Sequence, residues 1–139
     1  MDAASGSPTR LDPAAAISAR QASFKRIGTA FKSVTDQLKT DSPDRSIMVN
    51  SAQTMAASAR ELAGLFPVGS GSVAGPSTKA LPEIWTQRSQ FDARLTLLVA
   101  EAGRLASAAS GVNVNQTRAQ ARILGAVCSE CHRQFRARE

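Results

Sequence analysis

The chain has 139 residues, enough for one domain around one core, and 42% of them are hydrophobic. Aromatics make up only 4%, with no Tyr, while alanine recurs throughout, which favours helices because alanine loses no side-chain entropy in one. The formal charge of +6 comes from 17 Lys and Arg scattered without a basic run or interleaved aromatics, so it reads as solvated surface and argues against a nucleic-acid partner, and no stretch approaches the roughly 20 apolar residues needed for membrane insertion.

Residues 1–12 are small and polar and read as a flexible N-terminal arm, followed by a single domain over residues 13–139. The first residues hold no apolar stretch of the kind an export signal needs, and the expectation is a mature form whose signal is absent. Asp12-Pro13 starts a helix, with an N-cap acid before a first-position proline. Ile17, Phe24, Ile27, Phe31, Val34 and Leu38 then mark one helical face. Asp41-Ser42-Pro43-Asp44 interrupts it, and Ser42-Pro43 is expected to restart a helix with a stripe at Met48, Ala52, Met55, Ala59, Leu62 and Phe66.

Pro67 to Pro82, rich in Gly, Ser and Pro, is one long connection. A third helix is expected along Ile84, Phe91, Leu95, Leu98, Ala102, Leu105 and Ala109, ended by Ser110-Gly111. Asn113 or Asn115 caps a fourth, with Ala121, Leu124, Cys128, Cys131 and Phe135 on its inner face. No period-two β pattern appears. The expected fold is all-α, an antiparallel up-down-up-down four-helix bundle.

The last helix carries Cys128-Ser129-Glu130-Cys131-His132, which uses both cysteines and the single histidine of the chain. CxxCH is the attachment pattern of a c-type haem, held by two thioethers and an axial histidine. Positions i and i+3 share a helix face, so Cys128 and Cys131 project together, and His132 extends from the same side toward the iron. A redox dithiol is the first alternative, but that chemistry sits at a helix N-terminus after a strand. Zinc is the second, and Cys2His leaves it a ligand short. One covalently bound haem c per chain is therefore expected, with no second histidine for the iron's other face.

In the first helix the inward register places Arg20 where a core residue belongs. A buried guanidinium needs an opposite charge, and a haem propionate would supply one, with Gln21 beside it. The alternative is that Arg20 snorkels to water near the helix end. Phe24, one turn on, is either simple core or an aromatic cap over the open iron face, which it would block without ligating.

These features together resemble the cytochrome c′ family of class II c-type cytochromes. The segments that carry the resemblance are Arg20-Gln21-Ala22-Ser23-Phe24, Leu65-Phe66-Pro67, Leu81-Pro82-Glu83-Ile84-Trp85 with Phe91, and Cys128 through Arg136. The resemblance implies thioethers at Cys128 and Cys131, proximal ligation by His132, and propionate-side contacts from Arg20 and Gln21. It implies an apolar distal position at Phe24, a basic residue near the proximal face at Arg136, and a haem-edge contact at Lys79. Trp85 and Phe91 pack either near the haem or as ordinary core. A homodimer through the first two helices is also implied.

A low-spin subtype uses a first-helix methionine as second ligand, but Met1, Met48 and Met55 all fall outside that register, and Lys25 points off the Phe24 stripe. The expected function is a periplasmic, five-coordinate high-spin haem protein that binds NO and CO behind an apolar gate. The alternative is an electron-transfer cytochrome docking to an acidic redox partner. An enzyme such as a peroxidase is not expected, since the distal face offers no acid–base group.

Overall fold

Asp12 opens helix α1 (Pro13–Leu38). Its carboxylate accepts from the Ala15 N–H at 2.9 Å, and Pro13 takes the first helical position. The computed structural model describes residues 11–71 and 77–137, so the expected arm lies outside the described residues except for Leu11 and the capping Asp12. Helix α2 (Arg45–Glu61) begins later than Ser42-Pro43 suggests, because Asp44 is the residue whose carboxylate reaches an orphan donor, the Ile47 N–H at 3.1 Å. A 3₁₀ turn (Leu62–Gly64) finishes it, so Phe66 lies beyond the helix yet is only 3% exposed.

The expected third helix is two. Helix α3 (Glu83–Thr86) and helix α4 (Arg88–Ser110) are separated at Gln87, whose φ of −120° and ψ of 46° leave the helical region. Hydrogen bonding continues across the break, from Gln87 N–H to Glu83 O and from Phe91 N–H to Gln87 O. Helix α5 (Val114–Phe135) is capped by Asn113, whose side chain accepts from the Asn115 N–H.

Helix α2 packs against α1 and α4, and α4 against α5, completing the up-down-up-down bundle; α1 and α5 meet more sparingly. The core is built from Ile17, Val34, Met55, Leu62, Leu105 and Leu124, with Ala16, Ala52, Ala59 and Ala102 between them. Alanine at these contacts lets the helices approach closely, so the composition that favours helices also sets their spacing. Met48 and Met55 are both enclosed in this core. Buried Glu101 joins α4 to α5 by accepting from Gln120 at 2.7 Å and Arg104 at 2.6 Å.

One expectation about α5 needs correction. Its buried line is Thr117, Ala121, Leu124, Val127 and Phe135, whereas Cys128 and Cys131 are only half-buried. The cysteines therefore occupy the margin of the inward stripe, because Val127 takes the central position in that turn.

Leu124→Ala should lower the unfolding free energy by about 2–5 kcal/mol, since it empties a fully enclosed site. Urea denaturation checks this as a lower midpoint at unchanged slope.

Candidate haem site

The last two turns of α5 bring together two thiols and one imidazole. Both cysteines are free and half-buried. Burial pushes the Cys131 thiol up to about 11, against the opposing charge of Arg94, and burial also raises Cys128. The C-terminal end of a helix dipole likewise disfavours a thiolate. A redox dithiol needs the opposite environment, one that favours the thiolate. Among the described residues no three His, Cys, Asp or Glu side chains gather as a metal-ion site.

The His132 ring is exposed on one side, while partial burial and then the charge of Arg136 hold its pKa below the ordinary value. Both causes favour the neutral imidazole, the form that ligates iron. Facing it from α1 is Phe24, with ring centroids 6.4 Å apart and planes at 66°. Behind Phe24 runs a row of edge-on aromatic contacts: Phe24 to Phe66 at 6.3 Å, Phe66 to Phe91 at 4.7 Å and Phe91 to Phe135 at 5.2 Å. Two thiols at i and i+3, an imidazole and an apolar aromatic wall are the donor set and surroundings that suit a covalently held haem. Cys128, Cys131 and His132 are the residues that could hold it.

Arg20 is fully enclosed, at 2% exposure, in place of snorkelling to water. Burial draws its pKa down to about 10, which leaves it charged at neutral pH. Its terminal nitrogens donate to Ser70 Oγ at 2.7 Å, Ser70 O at 2.6 Å, Thr78 Oγ1 at 3.1 Å and Leu65 O at 3.2 Å. The guanidinium also lies 4.6 Å from the centre of the Phe66 ring and 5.9 Å from that of Trp85. These contacts close the connection after α2 onto α1. Gly69, at φ +89°, provides the left-handed residue of the turn in which Ser70 N–H donates to Pro67 O. Gly71 lies against Trp85, whose ring would stand 3.4 Å from an added Cβ.

The other expected site residues are distributed around this framework. Gln21 is exposed and donates to Ser77 O at 2.8 Å. The half-buried Trp85 donates its indole N–H to Phe66 O at 3.2 Å and Pro67 O at 3.1 Å. Phe91 is enclosed between Phe66 and Phe135, so it sits as core. Lys79 accepts at its carbonyl from Ala137 N–H, and an antiparallel bridge joins Ala80 to Arg136, so both basic residues lie at the strap across the end of α5. Lys25 is exposed on the outer α1–α2 groove, away from His132.

Sequence reasoning missed Ser70 and Thr78 as acceptors for Arg20, because nothing local marks which loop oxygens meet a guanidinium 50 and 58 residues away. It also understated Phe66, the ring that touches Phe24, Phe91 and Arg20 together. The Leu65-Phe66-Pro67 segment was the available signal.

Comparison with known proteins agrees with this arrangement. The cytochrome C' family profile matches residues 15–136. Cytochrome c' of Rhodopseudomonas palustris is 32% identical over 126 residues, covering 88% of this chain and 82% of that protein. The solved structure of cytochrome c prime from Shewanella frigidimarina superimposes with a TM-score of 0.85 at 29% identity, over 94% of this chain and 100% of that one. Cytochrome c' from Thermochromatium tepidum, at 24% identity and a TM-score of 0.87 over 94% and 100%, shares the fold. The chain belongs to the cytochrome c′ family, whose members carry one covalently bound haem c per chain.

Proposed function

We propose that this chain is a periplasmic five-coordinate haem protein that binds the small gases NO and CO behind an apolar gate. The observation that carries the reading is the residue opposite His132: Phe24, a ring with no lone pair for iron. The other candidate sixth ligands in the described residues lie elsewhere, Met48 and Met55 in the core and Lys25 on the outer face. Cys128 and Cys131 would hold the porphyrin by thioethers and His132 would ligate its iron, which would supply the gas-binding chemistry.

Phe24 acts by exclusion. A small neutral diatomic passes at little desolvation cost, whereas a polar anion loses its hydration against apolar rings without compensating hydrogen bonds. His132 would hold the iron from the face opposite Phe24. Arg20 serves the propionate side as a charge with no acid paired to it among the described residues, and its terminal N–H groups hold the loop that flanks that side. Gln21 supports the same loop at Ser77.

The homodimer implied by the family resemblance falls to the outward face of α1 and α2, where a groove of about 570 Å³ is lined by Ala22, Thr29, Ser33, Ser51 and Thr54. No helix among the described residues is long and apolar enough to cross a membrane; the periplasmic reading rests on covalent haem attachment being ordinarily an extracytoplasmic step. Electron transfer is the second reading. It is favoured by the exposed Lys79 and Arg136, which lie together at the strap beside His132 and suit an acidic redox partner. Peroxidase chemistry is not part of the proposal, since Phe24 offers no acid or base.

The ferrous absorption spectrum should be high-spin and shift on CO addition; a low-spin spectrum inert to CO refutes the open-site reading. Phe24→Ala removes a steric barrier of about 1–3 kcal/mol, so CO association should accelerate roughly tenfold or more in flash photolysis. Arg20→Met orphans its loop acceptors and should cost about 1–3 kcal/mol in urea unfolding, while Gln21→Ala, at an exposed bond, should stay within about 0.5 kcal/mol.

A further inference from the structure

We infer that the groove between α1 and α5, in the half of the bundle away from His132, binds the anion of a free medium-chain fatty acid. This inference is independent of the gas-binding reading. The groove is an open trough on the surface and holds about 330 Å³. It exists because α1 and α5 meet more sparingly than the other neighbouring helices.

Its floor is apolar: Phe31 and Leu38 from α1, Ala121 and Gly125 from α5, with Thr35 the one uncharged polar side chain. The absence of a side chain at position 125 is part of the shape, since a Cβ there would stand 3.5 Å from Phe31 Cζ. The rim carries three cations, Lys39, Arg118 and Arg122, and no acid lines the groove. Arg118 commits one nitrogen to Leu38 O at 2.8 Å. Lys39 stands 4.0 Å from Asp36, whose closer partner is Lys32 at 2.6 Å. Arg122 is exposed and makes no hydrogen bond or ion pair among the described residues.

Three positive charges around an apolar trough set two requirements at once. The charges attract an anion, and the trough rewards hydrocarbon that leaves water. Inorganic phosphate would meet only the first requirement and a neutral hydrocarbon only the second. A carboxylate on a single alkyl chain meets both, with its head on Arg122 and Lys39 and its tail along Phe31 and Gly125. The trough is too small for a two-chain phospholipid.

The test is titration calorimetry of the haem-loaded full chain with decanoate below its micelle-forming concentration. Saturable one-to-one binding is expected. Gly125→Leu, which fills the trough, should weaken it at least tenfold. Arg122→Gln, a surface change that leaves the fold intact, combined with Lys39→Gln, should weaken decanoate about tenfold while leaving decanol unchanged. No saturable binding would overturn the inference, as would decanoate binding that survives both variants. Adsorption to phosphatidylglycerol vesicles that Gly125→Leu leaves intact, without decanoate binding, would reassign the cations to a membrane surface and overturn it also.

Discussion

A buried guanidinium with no carboxylate partner among the described residues is the constraint around which the site end of this bundle is organised. Taking Arg20 out of water carries a heavy desolvation cost. The chain meets that cost with oxygen atoms from one loop and with the faces of Phe66 and Trp85. The arrangement determines where the loop can lie, since Ser70 must present both its hydroxyl and its carbonyl to one side chain. Trp85 reinforces the closure from the other direction by donating to Phe66 O and Pro67 O. Leu65, Ser70, Ser77 and Thr78 are thereby held against α1.

From that fixed base follows the relation between α1 and α5. Phe24 stands on α1 one turn beyond Arg20, and His132 on α5 faces it. The two helices have few direct contacts, so their spacing depends on the elements at either end. Near the site these are the Arg20 loop and the strap formed by Lys79, Ala80 and Arg136 across the end of α5. At the other end Arg118 reaches across to the last carbonyl of α1. The haem pocket and the cation-rimmed groove are thus two parts of one seam, held apart by polar fastenings and lined with aromatic rings.

Much of this was legible in the chain. The 3.6-residue periodicity named all four long helices, because each buries a stripe that repeats at that period, and Asp12 and Asn113 act as the caps they resemble. The CxxCH motif stated its own cofactor. What escaped was set by three-dimensional closure. Gln87 breaks a helix whose apolar pattern runs on without interruption, and Asp44 displaces Ser42-Pro43 as the start of α2 by the reach of one carboxylate. The cysteines were read as central to the α5 stripe because helical spacing cannot separate the middle of a face from its margin; Val127 decides that. The acceptors of Arg20 were invisible for a simpler reason: loop oxygens carry no sequence label.

The marginal position of the two cysteines bears on how the holoprotein is made. A thiol sealed inside a finished core is chemically silent until the core opens. Cys128 and Cys131 are half-buried at the edge of the core, so a thioether formed there leaves the buried stripe of α5 in place. The apolar interior rests on Leu124, Val127 and Phe135, side chains distinct from those that would hold the porphyrin, so one face of α5 packs the bundle while its margin carries the attachment.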